Sequence, residues 1–158
     1  MTLWLNIISF GHKRDALFAA ATAEYQQRMK PPWKLKFTDL VSARRNETEP
    51  ATTVLKREAI LLHRHLPEKS DIIALDASGT LKSSEEFSAW LLSLEQRGQK
   101  NICFVLGSAD GLDVEFKKQA TAILSLSRLT FSHRLARAVL CEQIYRAQSI
   151  ILGTAYHK

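Results

Sequence analysis

The chain has 158 residues, of which 46% are apolar and 24% charged, and its formal net charge is +6. The length predicts one domain that buries a sizeable core without staples, and the composition is that of a soluble globular protein. We expect neither a membrane span nor a signal peptide, because no apolar run is long enough and residues 1–15 lack a basic start. The excess positive charge favours a polyanionic partner, most commonly nucleic acid, although a merely basic surface explains it almost as well.

Strands and helices are predicted to alternate from the start of the chain. The first four predicted elements are a strand at Leu3–Phe10, a helix at Asp15–Met29, a strand from Leu35 to about Val41 and a helix from Pro50 to about His65. Gly11 ends the first strand, and Pro31 and Pro32 stop the helix that follows it. Pro50 suits the first turn of a helix because its missing N–H has no partner to lose there.

The same alternation continues to the end of the chain. The remaining predicted elements are a strand at Asp71–Leu75, a helix from Ser83 to Arg97, a strand at Asn101–Leu106, a short helix near Asp113–Thr121, a strand at Ile123–Ser127, a helix from about Arg134 to Gln148 and a tail at Ile150–Lys158. Ser83 and Glu86 have the spacing of a capping box, and Gly98 supplies a left-handed stop.

This pattern predicts an α/β fold for residues 1–158 as a single domain, with a mostly parallel sheet and helices on both faces. In such sheets ligands bind beyond the carboxyl ends of the strands. Three predicted loops share that edge: residues 75–79, 107–111 and 127–131. Their convergence favours a ligand pocket.

The loop Phe104–Leu112, which reads FVLGSADGL, matches neither of two familiar nucleotide motifs. No Lys follows Gly111, as a Walker-type phosphate loop requires, and two glycines four apart do not form the GxGxxG dinucleotide fingerprint. Taken alone, the loop is equally consistent with an ordinary strand-to-helix turn.

Neither the cysteines nor the histidines have the spacing of metal ligands. Cys103 and Cys141 lie inside apolar segments and are interpreted as buried, reduced thiols of a cytoplasmic protein. His63 and His65 are two apart on a predicted helix, so they face different directions. We therefore expect no metal site.

The last predicted helix carries an apolar stripe, as a core face or a partner face requires. Its members are Ala136, Leu140, Ile144, Ala147 and Ile151. Glu142 and Arg146 are spaced to form an ion pair, either on the surface or at an interface. Arg137 lies on another side of the helix and is our first candidate for contacting a nucleic-acid phosphate or base.

The final third of the chain resembles the RlmH family of SPOUT methyltransferases. The motifs that carry the resemblance are Leu124–Ser127, Leu129–His133, Arg137, Glu142–Ala147 and Gly153–Lys158, together with Leu75, Asp76, Gly79 and FVLGSADGL. The similarity covers the whole chain, although the first sixty residues add little to it.

The resemblance implies a SPOUT-type fold with a C-terminal trefoil knot and a homodimer with active sites at the subunit interface. It implies an enzyme that uses S-adenosylmethionine to methylate N3 of a pseudouridine in helix 69 of 23S ribosomal RNA. We expect the assembled ribosome to be the substrate.

Site residues follow from the same resemblance. The implied cofactor-binding residues are Leu75, Gly107, Leu126, Ser127, Arg128, Leu129, Thr130 and Phe131. Tyr156 and His157 are expected to position the target uracil, with His157 or a nearby arginine favouring the N3 anion. His133 is a further candidate, either as a helix cap or as an RNA contact.

Two positions depart from the family pattern. Ser108 stands where the family usually has a second glycine, and Ser132 stands in place of proline in Phe-Pro-His. Position 108 therefore needs a φ that a non-glycine residue tolerates, which predicts weaker cofactor binding, and the loss of proline predicts a looser loop. Two alternatives therefore stay open: a noncatalytic RNA-binding or ribosome-binding protein that keeps the fold, and a flavodoxin-like nucleotide binder, which leaves the C-terminal motifs unexplained.

Overall fold

Five strands and five α-helices alternate along the chain in the computed structural model, which describes residues 1–11, 16–42, 46 and 48–158. The elements are β1 Leu3–Phe10, α1 Ala16–Arg28, β2 Trp33–Leu40, α2 Ala51–His65, β3 Ser70–Leu81, α3 Ser84–Gln96, β4 Asn101–Leu106, α4 Val114–Gln119, β5 Ala122–Ser125 and α5 His133–Ile151, followed by a 3₁₀ turn at Ala155–His157. The predicted start of the first helix, Asp15, lies outside the described residues.

All strand pairs of the five-stranded sheet are parallel, in the order β2-β1-β4-β3-β5. One apolar cluster joins the sheet to α1, α3 and α5, and a second joins the opposite face to α2 and α4. The predicted α/β class, with helices on both faces of a parallel sheet, is therefore confirmed. The trefoil knot stays a prediction.

The apolar stripe of α5 is a core face. Leu140, Ile144 and Ala147 are fully buried against the sheet within this one chain. These three positions therefore have no surface left to offer a partner subunit, whereas Ala136 and Ile151, at the ends of the stripe, are partly exposed.

The edge of the sheet near β5 differs from the prediction. β3 continues to Leu81, and its pairing with β5 shifts register between Leu75 and Thr80, so residues 76–79 form a bulged strand rather than a free loop. A Cβ at Gly79 would lie 2.7 Å from the carbonyl oxygen of Ile123, which explains why a glycine is needed where the two strands approach.

The other boundary differences are small. Pro50 is the N-cap residue of α2 rather than part of its first turn. β5 ends at Ser125, which leaves residues 126–132 as a loop, and α5 runs to Ile151, three residues beyond the predicted Gln148.

Three other findings concern the described residues alone. None of their helices is long and apolar enough to cross a membrane. Their His, Cys, Asp and Glu side chains form no group of three that could hold a metal ion. Burial raises the pKa of the Cys103 thiol to about 11 and that of Cys141 to about 12, so both are protonated, unreactive thiols near neutral pH.

Candidate active site

A cleft of about 300 Å³ opens at the carboxyl edge of three neighbouring strands, β4, β3 and β5. Its wall consists of Leu75, Asp76, Ala77, Leu106, Gly107, Ser108, Ala109, Gly111, Leu126, Ser127, Leu129, Thr130, Phe131, Ser132, His133 and Ala136. The volume is at the lower end of the range for small-molecule sites. Eight of the predicted site residues meet here: Leu75, Gly107, Leu126, Ser127, Leu129, Thr130, Phe131 and His133.

The loop after β4 is a tight turn closed on itself. The Gly111 N–H donates to the Ser108 carbonyl oxygen at 2.9 Å, and Gly111 has a φ of 87°. A Cβ at Gly107 would lie only 2.2 Å from the Gly111 carbonyl oxygen, so position 107 has no room for a side chain. The turn therefore depends on both glycines for different reasons, torsion at one and close approach at the other.

Ser108 has no backbone strain and is anchored through its side chain. Lys69 is the only non-glycine residue with a positive φ in the described part of the chain, so Ser108 has an ordinary torsion. Its hydroxyl donates to a carboxylate oxygen of Glu58 on α2 at 2.7 Å. The turn takes its positive φ at Gly111, so position 108 has a φ that a non-glycine residue tolerates, as the sequence requires.

Asp76 places a carboxylate in the wall of the cleft. It accepts hydrogen bonds from the Ser78 N–H at 2.8 Å and the Ser78 hydroxyl at 2.6 Å, and Lys117 Nζ lies 3.2 Å away. The Ser78 hydroxyl, followed by the Ser78 N–H and the Lys117 ammonium, lowers the pKa of Asp76 despite its partial burial. Asp76 was not predicted as a site residue, although its position directly after the predicted strand was a usable signal.

The loop after β5 supplies the opposite wall. Ser127 Oγ accepts the Leu129 N–H at 3.0 Å, which fixes the turn, while the Leu129 side chain stays 73% exposed. Arg128 is not among the residues of the cleft wall, and its guanidinium donates to the carbonyl oxygens of Ala77 and Gly79. The structure thus places Arg128 as a tie between the β5 loop and the β3 bulge, outside the cleft wall.

The N-terminus of α5 closes one end of the cleft. Ser132 is the N-cap residue, and its hydroxyl accepts the Leu135 N–H at 3.4 Å. His133 is the first residue of the helix and lines the cleft with Ala136, so the capping role is performed by Ser132 rather than His133. The hydroxyl of Ser132 provides a local restraint where the family has a proline.

Arg137 lies beside the cleft and not in its wall. Its guanidinium donates to the Asp39 carboxylate and, at 3.4 Å, to the Ser9 hydroxyl, and it sits 4.6 Å from the centre of the Phe37 ring. Its Nε is buried without a hydrogen-bond partner among the described atoms. In this arrangement the guanidinium is engaged by the ends of β1 and β2.

The chain terminus is docked and not frayed. Tyr156 Oη donates to Glu142 at 3.0 Å, and its ring meets Tyr145 edge-on at 4.7 Å and Arg146 at 4.9 Å. Burial, followed by hydrogen bonds with Tyr25 and Glu142, raises the pKa of the Tyr156 hydroxyl, so it is a proton donor here.

The His157 ring lies between the Glu85 carboxylate and the Arg146 guanidinium. Its Nε2 lies 2.8 Å from Glu85 and its Nδ1 lies 3.3 Å from Arg146 Nη1. A guanidinium can only donate, so Nδ1 accepts and Nε2 carries the proton that bonds Glu85.

The docked terminus does not reach the cleft of its own chain. Glu142 and Arg146, which hold it, follow Ala136 by six and ten residues on α5. At 1.5 Å per residue that is roughly 9–15 Å along the helix. Tyr156 and His157 are thus not brought together with the predicted cofactor-binding residues within one chain, whereas Arg137 is next to Ala136 of the cleft wall.

Comparisons with known proteins agree on one family over nearly the full length. The family described as predicted SPOUT methyltransferase matches residues 3–157. A ribosomal RNA large subunit methyltransferase H from Caldicellulosiruptor bescii is 40% identical over 154 residues, which covers 98% of this chain and 99% of that protein. Proteins of the same name from Syntrophomonas wolfei and Paraburkholderia xenovorans are 36% and 34% identical, and the matches cover 97% and 98% of this chain and 98% of each relative.

Proposed function

The chain belongs to the RlmH family of SPOUT methyltransferases, and we propose that it is an S-adenosylmethionine-dependent methyltransferase of ribosomal RNA. Within that activity we propose N3 of a pseudouridine in helix 69 of 23S rRNA as the target, on the family resemblance. The observation that carries the proposal is the cleft at the carboxyl edge of β3, β4 and β5, where eight of the predicted site residues converge.

The chemistry of the cleft suits this donor. Transfer from a sulfonium is an in-line displacement that needs fixed geometry, little water and an unprotonated acceptor nitrogen. The wall is mostly apolar or uncharged, with Leu75, Leu106 and Leu126 able to enclose an adenine and loop amides able to bond its edge. Asp76, the one carboxylate that the described residues contribute to the wall, is partly neutralised by Lys117 and adds a mild preference for a cationic ligand.

We propose that the working unit is a homodimer in which the terminus of one subunit completes the cleft of the other. The support is geometric: each terminus is docked on its own α5, roughly 9–15 Å along the helix from its own cleft. Tyr156 and His157 would then position the uracil ring, and His157 or an arginine such as Arg137 or Arg146 would favour the N3 anion.

We propose the assembled ribosome, in the cytoplasm, as the substrate. The formal net charge of +6 supports contacts with phosphates, and we infer that the shape of a large particle adds to recognition. Trefoil-knotted packing of the last third, implied by the family, is part of the same proposal.

The noncatalytic alternative is less well supported. It depended on Ser108 and Ser132, and both hydroxyls make hydrogen bonds that hold the walls of the cleft. A flavodoxin-like binding of a flavin or other nucleotide has no comparable support from the C-terminal residues.

Calorimetric titration with S-adenosylmethionine and S-adenosylhomocysteine tests the cofactor, and mass spectrometry of modified rRNA tests the target. We expect both ligands to bind and assembled ribosomes to be methylated much faster than naked 23S RNA. Binding of neither ligand would contradict the enzymatic proposal, and equal rates on the two substrates would contradict the ribosome as substrate.

A further inference from the structure

Glu58 is a carboxylate buried in the α2 layer, with only 2% of the residue exposed. Its two oxygens accept hydrogen bonds from two hydroxyls, Ser42 and Ser108, each at 2.7 Å. Ser42 follows β2, while Ser108 lies in the wall of the cleft. One buried side chain therefore connects a helix outside the cleft to the loop that forms it.

Such a group is costly to bury without partners, so its hydrogen bonds are strongly maintained in the folded protein. Bonds from a hydroxyl to a charged acceptor are also short and stronger than neutral ones. At Glu58 each carboxylate oxygen has a hydroxyl partner at 2.7 Å, which is a normal distance for a well-formed O–H···O hydrogen bond.

The contact between Ser108 and Glu58 affects the whole turn, because Ser108 is part of it. The Ser108 carbonyl accepts the Gly111 N–H, and the space over Gly107 is filled by the Gly111 carbonyl. Restraining the Ser108 side chain therefore restrains the whole of residues 107–111.

We propose that Glu58 is a positioning residue for the cofactor: it holds the 107–111 turn in its binding shape through the Ser108 hydroxyl. The serine that replaces a family glycine is then an anchored part of the site and not a defect. The ligand part of this inference rests on the proposed function, whereas the anchoring of the turn does not.

Ser108→Ala and Ser42→Ala form a matched pair, because each removes one of the two hydroxyls from the same carboxylate. Both variants leave one oxygen of the buried Glu58 carboxylate without its hydroxyl donor, so any loss of stability from that change is common to both. Of the two serines, Ser108 is the one that belongs to the cleft. We expect Ser108→Ala to bind S-adenosylhomocysteine about tenfold more weakly, as loss of a hydrogen bond to a charged group predicts, and Ser42→Ala to retain wild-type affinity.

A second measurement needs no ligand. Hydrogen exchange of the Gly111 amide in the free protein reports opening of the turn, and we expect it to be about tenfold faster in Ser108→Ala than in wild type or Ser42→Ala. Glu58→Gln should accelerate exchange in the wild-type background and add nothing once Ser108 is Ala, because both changes break the same contact.

Three outcomes would overturn the inference: unchanged Gly111 exchange in Ser108→Ala, equal losses in Ser108→Ala and Ser42→Ala, or additive effects of Glu58→Gln and Ser108→Ala. If the wild-type protein binds neither S-adenosylmethionine nor S-adenosylhomocysteine, the proposed function fails while Gly111 exchange still decides whether Glu58 anchors the turn. If Glu58→Gln does not fold, the serine pair decides alone.

Discussion

Single atoms decide whether the turn after β4 can form. A Cβ added at Gly107 would lie 2.2 Å from the carbonyl oxygen of Gly111. Because that oxygen belongs to the backbone, it cannot rotate away as a flexible side chain could. We expect Gly107→Ala to lower the free energy of unfolding by about 1–3 kcal/mol or more, as overpacking does, and to abolish S-adenosylmethionine binding. Thermal unfolding and calorimetry measure the two effects.

Gly11→Ala is the matched control for this change. A Cβ there meets nothing within 4 Å, and its φ is not in the left-handed region. It should leave stability and cofactor binding as they are. A Gly107→Ala protein that binds as well as Gly11→Ala would show that the turn relaxes freely and is no part of the site.

The Asp76 carboxylate predicts acid sensitivity. Its pKa in the folded protein is lowered below the ordinary value of 3.8, chiefly by the Ser78 hydroxyl. A lowered folded pKa means that its stabilising effect is present above pH 3.8 and is lost as the pH falls through the folded value. Denaturant unfolding between pH 7 and pH 2 should therefore show a steeper acid loss in wild type than in Asp76→Asn.

The relative contributions of Ser78 and Lys117 to the lowered pKa of Asp76 provide a control for that experiment. Ser78→Ala should flatten the acid dependence more than Lys117→Met, because the Ser78 hydroxyl is the larger cause of the shift. Identical pH profiles for wild type and Asp76→Asn would contradict the prediction.

Residue positions along the cleft could be predicted from the sequence, but the partners of the polar side chains could not. Leu75 and Gly107 end predicted strands, and parallel strands bring such ends to one edge. The contact between Arg137 and Asp39 joins residues 98 apart, and the contact of Tyr156 with Tyr25 joins residues 131 apart. Contacts between residues so far apart in sequence leave no local pattern. The hydrogen-bond partners of Arg137 and Tyr156 therefore could not be predicted from the sequence.

Helix α3 links a local sequence signal to the position of the chain terminus. The Ser83 hydroxyl accepts a hydrogen bond from the Glu86 N–H at 3.1 Å, and the Glu86 carboxylate accepts one from the Ser83 N–H at 2.7 Å. This pair of bonds is the predicted capping box. Glu85, in the first turn of that helix, holds His157 at 2.8 Å. Fraying of this turn should therefore loosen the terminus.

We expect Ser83→Ala to cost about 1 kcal/mol of unfolding free energy, the usual value of a lost cap. Amide exchange at His157 should become faster in the same variant, since Glu85 loses its fixed position. Ser93→Ala is a control within the same helix, because the Ser93 hydroxyl bonds back to the Trp90 carbonyl oxygen at 2.7 Å and does not cap the helix. Equal stability of Ser83→Ala and Ser93→Ala would argue against the cap.

Elements with strong local signals were predicted well, and those shaped by neighbours were not. β1 and the capped start of α3 fall at the predicted residues. The continuation of β3 through residues 76–79 was missed, because the bulge exists only through pairing with β5 and the bonds from Arg128. The periodicity of α5 predicts a buried face but does not distinguish burial in the core from burial against a partner.

At the scale of the whole molecule, the cleft and the docked terminus lie at different points along α5. Ala136 lines the cleft, whereas Glu142 and Arg146 hold Tyr156 and His157. If the terminus takes part in methyl transfer, two-fold symmetry offers the simplest arrangement, in which each terminus serves the opposite cleft.

Mixing two inactive variants tests that arrangement. Gly107→Ala blocks the cleft, and deletion of residues 156–158 removes the terminus. Neither Gly107 nor residues 156–158 belong to the buried core, so we expect both variants to fold. Each variant alone should form dimers and methylate nothing. After random exchange of subunits, half of the dimers are mixed and each has one complete site, so activity should return to about a quarter of wild type.

The reciprocal mixture separates shared sites from independent ones. A subunit that carries both changes, exchanged with wild type, leaves no complete site in a mixed dimer when termini serve the opposite cleft. Activity should then fall to about a quarter of the wild-type value, whereas a terminus that serves its own cleft leaves about half. Light scattering checks that every mixture is dimeric. A monomeric, fully active wild-type protein, or no activity in the first mixture with half in the second, would refute the shared site and return the search for the catalytic group to Arg137 and His133.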